Sequence, residues 1–226
     1  MKFSARTIQI LRNFATVHQA LLFKQGRTLK VMSESKSILA KATLEDDIEG
    51  TFAIYDMPKF LSAISMFDDP MLTPNNAHVE IRQGNEKINY TVAEQSLIKT
   101  PPEKEIVLPS IDVQFELKNE TINRVLKGMA ITGANALCIT GEDDKIFLEA
   151  KTINTSKTQP SSSGAPTYRA EVGVTDKKFS FIIMADNFKL LTGDYNVSVS
   201  QKGLAHFSSA DVEYWIAVEA NSSFEG

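Results

Sequence analysis

The segment Leu137-Cys138-Ile139-Thr140-Gly141-Glu142-Asp143-Asp144-Lys145-Ile146-Phe147-Leu148-Glu149 indicates the fold class. Apolar residues stand on both sides of a glycine and three acidic residues, a group typical of a turn. We therefore predict two antiparallel strands, 137–140 and 145–149. Three more pairs of short apolar segments surround glycine-containing turns, and 112–117 and 213–218 are predicted as further strands. The additional predicted hairpins are 20–24 with 28–33, 78–82 with 87–92, and 195–200 with 205–208.

Four other segments carry apolar residues at the spacing of an amphipathic helix. The first runs from Ser4 to Val17, the second starts at Pro58, the third follows Asn119 as its N-cap, and the fourth covers 185–191. The residues expected to be buried are Phe3, Ile8, Ile10, Leu11, Phe14 and Ala15 in the first helix, Phe60, Leu61, Ile64 and Phe67 in the second, and Ile122, Val125, Leu126 and Met129 in the third. Few helices among many hairpins predict an α+β fold with antiparallel sheets.

The two halves of the chain repeat one pattern. The pairs Ala15 and Ala130, Gly26 and Gly141, Lys30 and Lys145, and Glu34 and Glu149 all show the same separation of 115 positions. After 154–167, which we interpret as an inserted surface loop, the separation grows to 129 for Phe52 and Phe181. We therefore predict two similar domains, 1–100 and 111–226, joined by a proline-rich linker at 101–110.

Composition limits the class of protein. The 226 residues are 42% hydrophobic and 23% charged, which is ordinary for a globular protein and excludes intrinsic disorder. No apolar segment approaches the roughly 18 residues of a membrane span, and no secretory signal is expected. The single cysteine, Cys138, suits a reducing compartment, so a cytoplasmic protein without a membrane partner is predicted.

No arrangement of residues predicts catalysis. His18, His78 and His206 are isolated from one another in sequence, and Cys138 stands between apolar residues as a buried strand residue would. The acidic groups are expected to be solvated turns rather than metal ligands. These groups are 45–47, 68–69 and 143–144. We therefore predict no catalytic residues, no metal, no cofactor and no enzymatic activity.

Basic residues gather on or beside the predicted helices, although the chain carries 24 Lys and Arg against 28 Asp and Glu, a net charge of −4. These residues are Lys2, Arg6, Arg12, Lys59, Arg124, Lys127 and Lys189. Any surface helix shows some Lys and Arg to water, but their repetition in both halves of an acidic chain favours a DNA-facing surface. Because no aromatic residues accompany them, we expect sequence-independent contacts to phosphates rather than base stacking.

Several short motifs resemble the sliding clamps of T-even-type phages. They are Asn13-Phe14-Ala15-Thr16-Val17, the Lys24-x-Gly26 turn, Ala53-Ile54-Tyr55-Asp56-Met57 with Phe60-Leu61, Phe181-Ile182-Ile183-Met184-Ala185, and Val218-Glu219-Ala220. The resemblance covers the whole chain in order. It implies a DNA polymerase processivity factor, a closed ring of six similar domains with helices lining the hole and sheets outside.

That resemblance also implies the partners. Two domains per chain would make the ring a homotrimer around double-stranded DNA, working with a clamp loader in the host cytoplasm of an infected bacterium and supporting late transcription through late-transcription factors. The C-terminal tail of the replicative polymerase would occupy an apolar pocket beside the interdomain linker. The residues expected to form this pocket are Leu39, Ile106, Val107, Leu108, Pro109 and Val218. The alternative is a β-rich structural ring protein of a phage, which predicts neither the duplication nor the clustered basic residues.

Overall fold

The computed structural model describes residues 1–153 and 168–225 and divides the chain into two compact units. The first comprises Met1–Glu105 with Asp211–Glu213, and the second comprises Ile106–Ala210 with Tyr214–Gly226. The predicted inserted loop at 154–167 lies outside the described residues. The described helices include none that is long and apolar enough to cross a membrane.

The first unit contains two helices and small antiparallel sheets. Its elements are α1 (Ala5–Val17), β1 (Leu21–Phe23), β2 (Gly26–Met32), β3 (Ile38–Ile48), β4 (Phe52–Ile54), α2 (Met57–Ile64), β5 (Met71–Pro74), β6 (His78–Gln83), β7 (Glu86–Thr91) and a 3₁₀ turn at Gln95–Leu97. Strand β1 pairs with β4, β2 with β3, and β6 lies between β5 and β7. Helix α1 packs on β3 and α2, so the core lies between helices and strands.

The second unit has one full helix and two larger sheets. Its elements are β8 (Val113–Leu117), α3 (Asn119–Thr132), β9 (Ala136–Glu142), β10 (Lys145–Lys151), β11 (Tyr168–Val174), β12 (Lys178–Met184), a 3₁₀ turn at Ala185–Asn187, β13 (Tyr195–Ser200), β14 (Leu204–Ser208), β15 (Val212–Ala217, whose first two residues are assigned to the first unit) and β16 (Ser223–Glu225). One sheet has the order β11-β10-β9-β12-β16, and the other includes β15-β14-β13-β8. Helix α3 packs on β10 and β11.

Both units repeat the order helix, four strands, short helical segment, three strands. In the first unit this series runs from α1 to β7, and in the second it runs from α3 to β15. The α+β class and the antiparallel pairing predicted from the sequence are confirmed. Three predicted hairpins are also confirmed, namely β6–β7, β9–β10 and β13–β14.

The predicted hairpin between 20–24 and 28–33 is wrong. Strand β1 pairs with β4, placing Phe23 opposite Phe52, and the two rings stack with centroids 4.6 Å apart. Strand β2 pairs instead with β3, across a register shift between Gly26 and Thr28. The apolar side chains of β1 therefore find their partners about 30 residues along the chain rather than in the next strand.

The predicted helix at 185–191 is also wrong. Only Ala185–Asn187 is helical, as a 3₁₀ turn, and Phe188 leaves the helical region with φ −91° and ψ 72°. This conformation buries the Phe188 ring against Phe207, with centroids 5.7 Å apart. The gain from burying an aromatic ring exceeds the small preference of so short a segment for helix.

Several smaller predictions need correction. Phe67 lies beyond the end of α2 and is half-buried, whereas Leu126 on α3 is 37% exposed. Phe3, Ile8 and Ala15 were predicted to be buried and are half-buried, whereas the polar residue Thr7 is fully buried.

Candidate nucleic-acid interface

Helix α1 carries two of the seven predicted DNA-facing residues. Ser4 begins the helix as its N-cap, because its hydroxyl accepts a hydrogen bond of 3.1 Å from the Thr7 N–H. The Ser4 N–H donates to an Asp46 carboxylate oxygen at 2.6 Å, which ties the helix start to β3. The apolar side of the helix is buried, so Arg12 is left exposed on its outer side.

Arg6 has a different environment from Arg12. Its Nε and one terminal nitrogen donate to the two carboxylate oxygens of Asp211, at 2.7 and 2.8 Å. Both side chains are about 30% exposed. This bidentate pair lowers the pKa of Asp211, and it makes Arg6 a structural residue of the first unit as well as a basic one.

The Arg6–Asp211 pair predicts a pH-dependent contribution to stability. Because the pKa of Asp211 is lowered in the folded chain, the pair stabilises fully above the unfolded carboxyl pKa of about 3.9 and is lost as pH falls through the folded value. Replacing Arg6 with Met should cost about 1 kcal/mol at neutral pH and progressively less below pH 4. Chemical denaturation across this range measures it, and a pH-independent difference would contradict the assignment.

Lys2 and Lys59 are paired with acidic neighbours. Lys2 precedes α1 in the chain, and its amine forms an ion pair with Asp69. Asp56 caps α2 by accepting from the Lys59 N–H at 3.0 Å, and it also pairs with the Lys59 amine at 2.9 Å. Through this contact the Asp56 carboxylate raises the pKa of Lys59, and the Lys59 amine lowers the pKa of Asp56. Part of the positive charge on both lysines is therefore neutralised locally.

Helix α3 carries Arg124 and Lys127 on its exposed side, over buried Ile122, Val125 and Met129. Arg124 pairs with Glu120 one turn earlier, whereas Lys127 makes no ion pair with any described residue. Arg12 of α1 likewise has no ion pair among the described residues. These two cations are therefore the most available of the predicted set for phosphate groups.

The predicted N-cap of α3 is wrong. Asn119 is the first helical residue, and Lys118 occupies the cap position without a side-chain hydrogen bond. Asp194 supplies the missing acceptor, because its carboxylate accepts a hydrogen bond of 2.8 Å from the Asn119 N–H. Lys118 lies near the same carboxylate and near Glu116, and both raise its pKa. The helix ends at Gly133, whose φ of +69° favours glycine.

Lys189 lies after the 3₁₀ turn rather than on a helix. Its N–H donates to the Asn187 carbonyl at 3.2 Å, and the residue is half-buried. The structure therefore places six of the seven basic residues on or beside α1, α2 and α3, and one in an irregular segment.

The predicted pocket residues have different exposures. Leu39 is buried in β3 of the first unit, and Val218 is buried in the second unit, where its N–H donates to the Gly203 carbonyl at 3.0 Å. The segment 106–109 is neither helix nor strand: Ile106 and Leu108 are half-buried, Pro109 is exposed, and Val107 is 79% exposed.

The sequence did not indicate a small cavity of about 250 Å³ in the first unit, beside 100–103. Its lining includes Leu22 and Pro101 as well as Lys24, which pairs with Glu103. Lys30 also reaches this segment, since its amine approaches the Glu103 carbonyl at 3.3 Å. The lysines therefore attach 100–103 to the sheet, a role that no sequence motif signals.

Among the described residues there is no group of three or more potential metal ligands. The acidic residues at 45–47 lie in β3, not in a turn as predicted, whereas 68–69 and 143–144 are in turns. Cys138 is buried in β9, and burial raises the pKa of its thiol to about 11. The thiol is therefore protonated at neutral pH and is a poor nucleophile.

Known proteins resemble both the sequence and the fold. Residues 114–220 match the family model described as gp45 sliding clamp, C terminal. The sliding clamp of Vibrio phage KVP40 is 28% identical over 97% of this chain and 100% of its own length. The sliding clamp of Escherichia phage RB69 is 29% identical, with both chains covered completely. These matches confirm the resemblance drawn from the sequence motifs.

Solved structures establish the fold. The structure of A. fulgidus PCNA with the C-terminal region of FEN-1 bound has a TM-score of 0.64 to this chain, at 11% identity, covering 96% of each chain. The α+β architecture described above is therefore the architecture of DNA clamps.

Proposed function

Because this chain is related along its whole length to the sliding clamps of T4-like phages, we propose that it is a DNA polymerase processivity factor that encircles double-stranded DNA. The observation that carries the proposal is the match over 97–100% of this chain and the full length of each relative. A clamp increases processivity by topological enclosure and does no chemistry itself. A net charge of −4 is compatible with this role, since enclosure does not depend on tight binding.

We propose that the basic residues of the helices face the DNA. The proposed set is Lys2, Arg6, Arg12, Lys59, Arg124, Lys127 and Lys189. Four of these residues are already paired with carboxylates. A diffuse field of partly neutralised cations suits sliding, because strong phosphate contacts would hold the protein at one position.

The free edges of two strands support closure of a ring from several copies. Among the described residues β7 pairs only with β6, and β11 only with β10, so each strand has an unpaired edge. Pairing β7 of one copy with β11 of the next would join different surfaces in a heterologous contact, which closes into a ring at the correct rotation. We propose a homotrimer, which gives six similar domains per ring.

Light scattering after gel filtration, followed by retention on circular and linear DNA, tests this function. We expect a trimer that dissociates on dilution, stays on circular DNA after loading, and slides from linear ends. A chain that remains monomeric at high micromolar concentration, or that leaves circles and linear DNA equally fast, would refute the proposal.

We propose that the C-terminal tail of the replicative polymerase binds beside the linker, at Ile106, Val107, Leu108 and Pro109 with Leu39 and Val218. A clamp of the same fold has been solved with a C-terminal region of FEN-1 bound, which supports a tail-binding site. Half-buried apolar residues in an irregular segment are suited to anchor such a tail.

Replacing Leu108 with Glu should weaken binding of a polymerase tail peptide by at least about tenfold, because a carboxylate would enter an apolar contact. Ile111→Glu is the matched control, since Ile111 is 59% exposed and outside the proposed pocket. Fluorescence anisotropy of a labelled tail peptide measures both variants. Equal affinity of the two trimeric variants would place the pocket elsewhere.

We further propose that a clamp loader places the protein on DNA, that late-transcription factors bind it, and that it acts in the cytoplasm of an infected bacterium. These proposals follow from its relationship to phage clamps. Pull-down from infected cells with the trimer, compared with Leu108→Glu, would reveal which of these partners use the proposed pocket.

A further inference from the structure

The outer edge of β12 is covered by the last strand of the chain. Strand β16 pairs antiparallel with β12 through three residue pairs, Lys178 with Glu225, Phe179 with Phe224, and Ser180 with Ser223. Two hydrogen bonds hold the segment before β16 against β12. The Glu219 N–H donates to the Ile182 carbonyl at 2.8 Å, and the Ile182 N–H donates to the Ser222 hydroxyl at 2.9 Å.

Side chains along this edge form an aromatic cluster. The Phe224 ring lies 6.4 Å from Phe179 and 6.1 Å from Phe181, measured between centroids, and those two rings stack on each other at 5.2 Å. Phe179 can lie this deep because its neighbour is Gly141, where an added Cβ would come within 2.4 Å of the ring. Two rings of the cluster therefore belong to β12 itself, whereas the third is supplied by the three-residue strand β16.

Two lysines lie beside β16. The Lys177 amine lies 5.5 Å from the centroid of the Phe224 ring and donates to the Asp112 carbonyl at 3.1 Å. Lys178 is the cross-strand partner of Glu225. An aromatic residue followed by an acidic residue therefore matches both the rings and the charge of this edge.

The first unit lacks the equivalent covering strand. After β7, the Ala93 N–H donates to the Ala53 carbonyl of β4 at 2.9 Å, just as Glu219 donates to β12. The chain then enters the 3₁₀ turn at Gln95–Leu97 instead of forming another strand. The fold of one unit is thus complete without a counterpart of β16.

We propose that the outer edge of β12 is a strand-addition site for an extended partner segment carrying an aromatic residue followed by an acidic residue, with β16 as its displaceable occupant in cis. A strand of three residues, two of them exposed, opens at little cost, and main-chain pairing is available to any extended peptide. This inference does not rest on the proposed function.

A labelled peptide with the sequence of residues 219–225 tests displacement in the full-length chain. Because β16 is part of the same chain, it competes with the peptide at an effective concentration in the millimolar range. Phe224→Ala weakens this competitor, so it should raise the affinity of the chain for the peptide by about tenfold. Phe67→Ala is the matched chain control, because Phe67 is half-buried in the other unit. The same peptide with alanine in place of its phenylalanine should not bind.

A second peptide, Ala-Thr-Thr-Tyr-Asp, keeps the aromatic residue followed by an acidic residue but not the sequence of β16. Binding of this peptide to the Phe224→Ala variant supports the proposal. If the variant binds the peptide 219–225 but not this second peptide, the proposal is overturned. If the Phe224→Ala variant fails to fold, amide hydrogen exchange of the unmodified chain tests the same proposal. With saturating peptide, 223–225 should lose protection while β12 keeps it, and unchanged protection of 223–225 would also overturn the proposal.

Discussion

Reversing the charge of Arg12 and Lys127 together is expected to shorten the residence of the loaded protein on circular DNA by about tenfold at low salt. Both side chains are exposed, and neither forms an ion pair with any residue in 1–153 or 168–225, so both charges are available to phosphates. Each substitution lowers the net charge by two, so the double variant has a net charge of −8 instead of −4. Processive synthesis with the replicative polymerase should fall in parallel.

Lys36→Glu with Lys202→Glu is the matched control. It makes the same change in net charge, again with one exposed residue in each unit, but both residues lie in turns outside the helices. Residence on circular DNA should then stay close to that of the unmodified chain, and the difference between the two double variants should shrink at high salt. Equal losses would mean that net charge, not the helix surface, determines residence.

Gly141→Ala is expected to destabilise the second unit by about 3 kcal/mol, the upper part of the range for overpacked cores. An added Cβ would lie 2.4 Å from the Phe179 ring and 2.5 Å from the Lys177 carbonyl oxygen, and the carbonyl cannot move without shifting the backbone. Denaturant unfolding followed by near-ultraviolet circular dichroism would measure the loss.

Gly193→Ala is the matched control, because it replaces glycine with alanine at a position where the added Cβ meets no close neighbour. The nearest atom to its added Cβ is the Ser209 hydroxyl oxygen at 3.9 Å, an ordinary contact distance. Its free energy of unfolding should change by less than about 0.5 kcal/mol. If the two variants unfold alike, the close packing of Phe179 over Gly141 does not contribute to stability.

Sequence periodicity predicted the elements whose packing is local. Helix α1 and the β9–β10 hairpin were predicted because their apolar positions and turn residues are close together in sequence. The duplicated order of elements was also detectable, since both halves carry helical segments and strands in the same order.

Features that depend on distant residues were not predictable. Phe23 pairs with Phe52 rather than with the next strand, and Phe188 ends a helical turn to pack on Phe207. Arg6 meets Asp211, 205 positions away, so the sequence could not distinguish it from the exposed Arg12. The basic residues were identified from a helical pattern, but their ion pairs are set by the tertiary fold.

The environment of Cys138 makes the protein convenient for site-specific labelling. The chain has no other cysteine, and this one is buried with its thiol pKa raised to about 11, so maleimide reagents at neutral pH should leave it unmodified. A single cysteine introduced at an exposed position of α3, such as Asn123, would then carry a fluorophore without removal of the native thiol. Each copy would carry one dye, and the number of bleaching steps in single-molecule images would count the copies in an assembly.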